Sequence, residues 1–182
     1  LSFIITEYRQ RFVSEITGLY ENLYSELSGG VEKVTMMYRP DTSGTQEDFI
    51  NMFRQNLRKD ILLERTTHGV HRDDVEFVLD TMPVRKIGSQ GQIKSTIFAA
   101  KLSQYQWLRH ATHTKPILLL DDIFDKLDHD RVTNLMKIID SDIYGQIFIT
   151  DTYRERVRSI LPALRKPSLS FSIQQGRLNH YE

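Results

Sequence analysis

The sequence predicts an α/β fold in which a parallel β-sheet is flanked by helices, joined to a mainly helical segment that precedes it. Three observations carry this. Apolar residues recur at helical spacing through the first 65 positions, and strand-like and helix-like stretches alternate from residue 66 onward. Residues 117–120 and 146–150 form short apolar runs on either side of one amphipathic helix, the pattern of a parallel strand pair.

The elements follow in order. Ile5, Tyr8, Phe12, Ile16, Leu19, Leu23 and Leu27 step by three or four residues and describe one apolar helix face, which Ser28-Gly29-Gly30 stops. A short strand is expected over 31–38, then a turn at Pro40 and Ser43-Gly44. Thr45 and Asp48 stand at capping-box spacing ahead of Phe49, Phe53, Leu57 and Ile61, so a second helix starts there and packs beside the first. Residues 75–79 and the stretch around Val84 and Ile87 read as a strand pair joined near 80–83. A helix over 91–110, a buried strand at 117–120, a helix carrying Val132, Leu135, Met136 and Ile139, and a buried strand at 146–150 come next, with a right-handed crossover expected between the strands. A further helix is expected over 153–161, and a hairpin from 169–173 and 177–180 around Gln175-Gly176. The implied division is 1–65, two helices and a short strand, and 66–182, the α/β part.

Composition narrows the function. An apolar share of 40% is enough to bury the core of one domain. Lys+Arg and Asp+Glu both number 24, so no overall positive field marks a nucleic-acid binder and any such contact is local. Two basic clusters, Arg58, Lys59, Arg65, His68, His71, Arg72 and Arg154, Arg156, Arg158, Arg165, Lys166, could meet phosphates or simply be solvated. Without Cys there is no disulfide framework and no thiolate metal site, which fits an intracellular protein. No apolar run approaches the ~20 residues that cross a bilayer, so a soluble chain is expected. It opens on Leu1 without an initiator Met, as a piece of something longer would.

Two segments carry chemistry. Asp121 and Asp122 follow the apolar strand at 117–120, and ligands of open α/β sheets gather at the carboxyl ends of strands. One Asp can hold Mg²⁺ through its waters, and a neighbouring carboxylate can orient an attacking water. The same pair also reads as a loop start after a core strand. Asp125-Lys126-Leu127-Asp128 follows within a turn, where Asp128 suits a helix N-cap or a loop facing a partner subunit. Earlier, Gly88-Ser89-Gln90-Gly91-Gln92 places a Ser89/Gln92 capping box at a helix start, suited to a phosphate or to nothing beyond the cap. Residues 88–95 nearly spell a phosphate-binding loop, but Ile93 stands where that loop needs glycine, which makes Lys94 an ordinary helix side chain.

Taken together and in this order, these motifs resemble those of ABC-type ATPase heads, and within them the RecF family. Gly69-Val70-His71-Arg72-Asp73-Asp74 is similar to the family's Gly-Pro-His-Arg-Asp-Asp motif, with Val70 replacing proline. Residues 88–92 are similar to its signature, and Asp121-Asp122 matches its paired aspartates. The resemblance implies the C-terminal lobe of an ABC-type ATPase head over 66–182, with 1–65 part of a helical arm. It implies that Ser89, Gly91 and Gln92 contact ATP held by the opposite subunit of an ATP-dependent homodimer. Asp121 would hold Mg²⁺, Asp122 would act on the hydrolytic water, and Asp125 and Asp128 would lie in the interface loop. Thr150 stands where many such heads have a sensing histidine, which with the short Asp122 implies slow hydrolysis. Further implications are a cytoplasmic protein of DNA repair, recombination, replication and the SOS response, binding gapped DNA and working with RecR and RecO to place RecA. The phosphate-binding loop of the family finds no counterpart here, so the chain alone is expected neither to bind ATP tightly nor to hydrolyse it.

Three other readings stand beside this one. An SMC- or RecN-type head needs long heptad arms, whereas the first helix steps nearer 3.6 residues. A phosphoacceptor receiver domain needs most of its strands after the acidic pair, where 60 residues remain. The third is an interaction module without nucleotide.

Overall fold

The computed structural model describes residues 1–121, 127–153, 155, 158–159, 161–175 and 177–181. The first helix, α1 (Ser2–Ser28), ends where Gly29 turns left-handed at φ 70° and Gly30 N–H donates to Ser25 O at 2.8 Å. Its buried face is Val13, Ile16, Tyr20, Leu23, Tyr24 and Leu27. Tyr8, expected on that face, is 69% exposed, while Tyr20 and Tyr24 lie fully inside. The face packs on α4 (Gln90–Thr112), which contributes Ala99, Leu102 and Tyr105, and on α5 (His129–Ile139), which contributes Leu135, Met136 and Ile139. A fully buried side chain of the Leu102 kind contributes about 1.5–3 kcal/mol through the apolar area it removes from water.

Strand β1 (Val34–Arg39) pairs antiparallel with β2 (Asp74–Leu79), Val34 opposite Leu79 and Arg39 opposite Asp74. β2 continues into the short β3 (Met82–Pro83). The strand expected around Val84 and Ile87 is instead one helical turn, α3 (Val84–Ile87), closed by Gly88 N–H on Val84 O at 2.7 Å. Pro83 explains the change: it has no N–H to extend a ladder, and its φ of −57° suits a helix entry. β1, from the first 65 residues, thus pairs with β2, and α1 packs on α4.

α2 (Gln46–Leu62) starts on the expected capping box, with Thr45 and Asp48 exchanging both bonds. It meets α1 through Phe49, whose ring stands edge-on to Phe3 at 5.8 Å, but Leu57, Ile61 and Leu62 are exposed, so the expected side-by-side packing does not extend along the helix. β4 (Leu118–Leu120) and β5 (Ile147–Ile149) pair parallel around α5, as expected. They are not buried on both faces: Leu118 and Leu120 enter the core, while Leu119 and Phe148 are 71% and 51% exposed. β6 (Ser170–Gln174) and β7 (Arg177–Tyr181) form the expected hairpin. The helix expected over 153–161 falls partly outside the described residues, as do Arg154 and Arg156. Among the described residues, no helix is long and apolar enough to cross a membrane.

One polar hub ties α1 to the small sheet. Gly69 takes φ 132°, ψ −175°, a conformation that suits glycine, and leads into a 3₁₀ turn, Val70–Arg72. Asp73 then accepts from Arg9 at 2.8 Å, from Asp41 N–H at 3.0 Å and from the Tyr38 hydroxyl, with its side chain 3% exposed. Asp41 in turn accepts from Gly69 N–H at 2.8 Å and pairs with His68 and Arg72. Asp73→Ala should leave these donors without their acceptor and lower stability by about 2–3 kcal/mol, read as a shifted urea midpoint at constant slope.

Candidate functional site

The parallel pairing of β4 and β5 brings two of the expected site residues together. Asp121 follows Leu120 and Thr150 follows Ile149, so both stand at the carboxyl edge of the pair, and Thr150 N–H donates to Leu120 O at 2.9 Å. The Thr150 hydroxyl donates to the Asp121 carboxylate, and Asp121 is exposed. A hydroxyl and a carboxylate present hard oxygen atoms at one point of the sheet edge. Asp122 and Asp125 lie outside the described residues.

The second group is built on the start of α4. Ser89 Oγ accepts from Gln92 N–H at 3.2 Å, and Gln92 Oε1 accepts from Ser89 N–H at 2.8 Å, the reciprocal box that the spacing predicts. Gly88 has no room for a side chain, since a Cβ there would stand 2.6 Å from Val84 O. Ser89 and Gln90 are exposed, and Gly91 and Gln92 half-buried. Helix geometry directs the N–H groups of Gln90 and Gly91 out of the first turn, with the positive end of the helix dipole behind them. Lys94 lies within α4, as expected of a helix side chain. Gln92 is committed inside its own chain at both ends of its amide, because Nε2 donates to Glu32 Oε1 at 3.0 Å.

The third group joins the second. Asp128 is the N-cap of α5, accepting from Arg131 N–H at 2.8 Å. The Arg131 guanidinium pairs with Asp128 at 3.2 Å, with Glu32 at 2.8 Å, and donates to Ser95 Oγ of α4 at 2.8 Å. Glu32 also accepts from the Tyr24 hydroxyl at 2.6 Å. Burial alone would push the Glu32 carboxyl up, but the bonds from Tyr24, Gln92 and Arg131 outweigh it and hold the group below its ordinary value.

No protein-family model matches the chain. Individual proteins do. The chain is 36% identical over 169 residues to the DNA replication and repair protein RecF of Flavobacterium johnsoniae, covering 93% of this chain and 46% of that protein. It is 38% identical over 173 residues to RecF of Porphyromonas gingivalis, covering 93% and 46%. This chain is a homologue of RecF. It spans about half the length of the curated RecF relatives it matches. In fold it is similar to the recombination mediator protein RecF with ATP, at a TM-score of 0.74 and 21% identity over 100% of this chain and 47% of that one. It is also similar to an SMC ATPase, at 0.56 and 13% over 97% and 88%, and to the Smc head domain of Pyrococcus yayanosii, at 0.57 and 15% over 94% and 27%. The α/β class expected for an ATPase head is therefore the one observed.

Glu32 and Arg131 escape a reading by motif, although they bond Gln92 and Ser95 in the first turns of α4. Glu32 sits between a helix and a strand with no pattern around it, and the only signal for Arg131 is its helical spacing from Asp128. A carboxylate held low adds its full stability above the unfolded value of about 4.3 and loses it as the pH falls through the folded value. Stability should therefore drop as acidification carries the pH through and below that unfolded value, and Glu32→Gln should flatten part of that drop in urea titrations at each pH. An unchanged pH slope would exclude Glu32 as a contributor.

Proposed function

We propose that this chain is part of a RecF-like, ATP-dependent DNA-binding protein of recombinational repair and replication-fork maintenance. In this reading it dimerises around ATP at gapped DNA and works with RecR and RecO to promote RecA loading. The observation that carries the reading is the pairing of two exposed features in one α/β fold: the capped start of α4 and the Asp121–Thr150 pair at the strands' carboxyl edge. Relatives named for DNA replication and repair, and a fold similar to RecF and to SMC ATPases, support it.

The residues fit a metal-bound nucleotide by their chemistry. Mg²⁺ prefers carboxylate oxygen and keeps several waters, so the exposed Asp121 suits it without a protein cage; among the described residues no group of three or more such ligands occurs. Bound Mg²⁺-ATP supplies an activated phosphoryl group. Thr150 orients Asp121 by its hydroxyl hydrogen bond. Ser89, whose oxygen accepts the cap bond, keeps its hydroxyl hydrogen to donate outward, and the N–H groups of Gln90 and Gly91 present further donors to the terminal phosphate of the opposite subunit. Gln92 serves by holding that cap. Asp122 is assigned to the hydrolytic water, and Asp125 with Asp128 to the loop at the dimer interface. Residues 1–65 are assigned to a helical arm and 66–182 to the head lobe, in a cytoplasmic protein.

ATP in this scheme shifts a monomer–dimer equilibrium and hydrolysis reverses it. In the intact protein, sedimentation with ATP, with and without gapped DNA, should show a dimer that Ser89→Arg abolishes while nucleotide binding persists. Normal dimerisation of that variant would exclude the trans contact. Asp121→Asn should weaken Mg²⁺-dependent ATP binding on the order of tenfold or more, the scale of losing a charge-assisted contact, and an unchanged affinity would remove Asp121 from the site.

A further inference from the structure

We propose that Glu32 and Arg131 are positioning residues that lock the start of α4 to the start of α5, so that the signature segment and the Asp128 cap meet a partner subunit as one unit. This rests on the reading given under Proposed function, in which both segments face the opposite copy.

The geometry supplies the lock. Arg131 reaches three carriers at once: Glu32 at 2.8 Å, Ser95 at 2.8 Å and Asp128 at 3.2 Å. Ser95 stands one helical turn after Gln92, and Glu32 bonds Gln92 directly, so α4 is held twice from one side. Tyr24 fixes Glu32 to α1, the longest helix. The ion pair is largely withdrawn from water, with Arg131 13% and Glu32 20% exposed, so it is screened less than a surface pair and holds its geometry. A planar guanidinium is required here because its fixed fork points at several acceptors together, which a single ammonium does not. Each cap forms the first turn of its helix, Ser89 with Gln92 on α4 and Asp128 with Arg131 on α5. A shift at Asp128 is therefore carried through Arg131 and Glu32 to the Ser89 cap.

The test uses the intact protein and its ATP-linked dimerisation constant from sedimentation, with thermal unfolding recorded for every variant. Ser89→Ala and Asp128→Ala should be coupled in the parent background, the double variant losing a different fold of affinity from the product of the singles. With Arg131→Lys, which retains the charge, the two losses should become multiplicative, and dimerisation should already be weaker on the order of tenfold. Glu32→Gln provides the same reading from the other side and should reproduce it. Coupling that survives either substitution in a folded protein overturns the proposal, as does multiplicative behaviour in the parent. A parent that does not dimerise with ATP brings down the functional reading itself, and this inference with it; a parent that dimerises while Arg131→Lys and Glu32→Gln behave like it brings down the lock alone.

Discussion

The packing of α1 on α4 is the constraint on which the remaining structure depends. Tyr20, Tyr24, Leu27, Ala99 and Leu102 are enclosed almost completely between these helices and α5, and β1 and the parallel pair add their buried residues to the same core. The antiparallel strands hang from α1 through β1, the parallel pair is seated by Leu118 and Leu120, and the start of α4 is held at a fixed distance from α1 by Tyr24 and Glu32. Interiors of this kind are close-packed, so they pass a displacement on without absorbing it.

Charge is handled locally. Equal numbers of acidic and basic residues cancel over the chain, yet the described carboxylates are sorted by task. Asp73, Asp41 and Glu32 are enclosed by donors and hold elements together, whereas Asp121 and Asp128 stay exposed at a strand end and a helix start. The first group is structural because burial makes an unpaired carboxylate costly; the second remains available because it is not buried.

Much of this was legible in the residues alone. Both capping boxes, the glycine stop of α1, the parallel pair around α5 and the last hairpin follow from short-range rules, and these hold because each is enforced by bonds a few residues apart. Long-range packing was not legible. Tyr8 has the right spacing but is exposed, α3 replaced a strand where Pro83 removed a donor, and the place of Glu32 depends on Arg131, 99 residues away. The Asp121–Thr150 contact lies between, predictable in kind from strand order but not in partner.

The open face of β4 and β5 has a practical corollary. Leu119 and Phe148 project from a sheet that has two strands among the described residues, and Leu169, Phe171 and Ile173 of the hairpin segment add further oily surface. Greasy patches of this type favour self-association when nothing covers them. Handled by itself, a polypeptide of this sequence should be kept dilute and cold, and fused or co-expressed with material that shields that side.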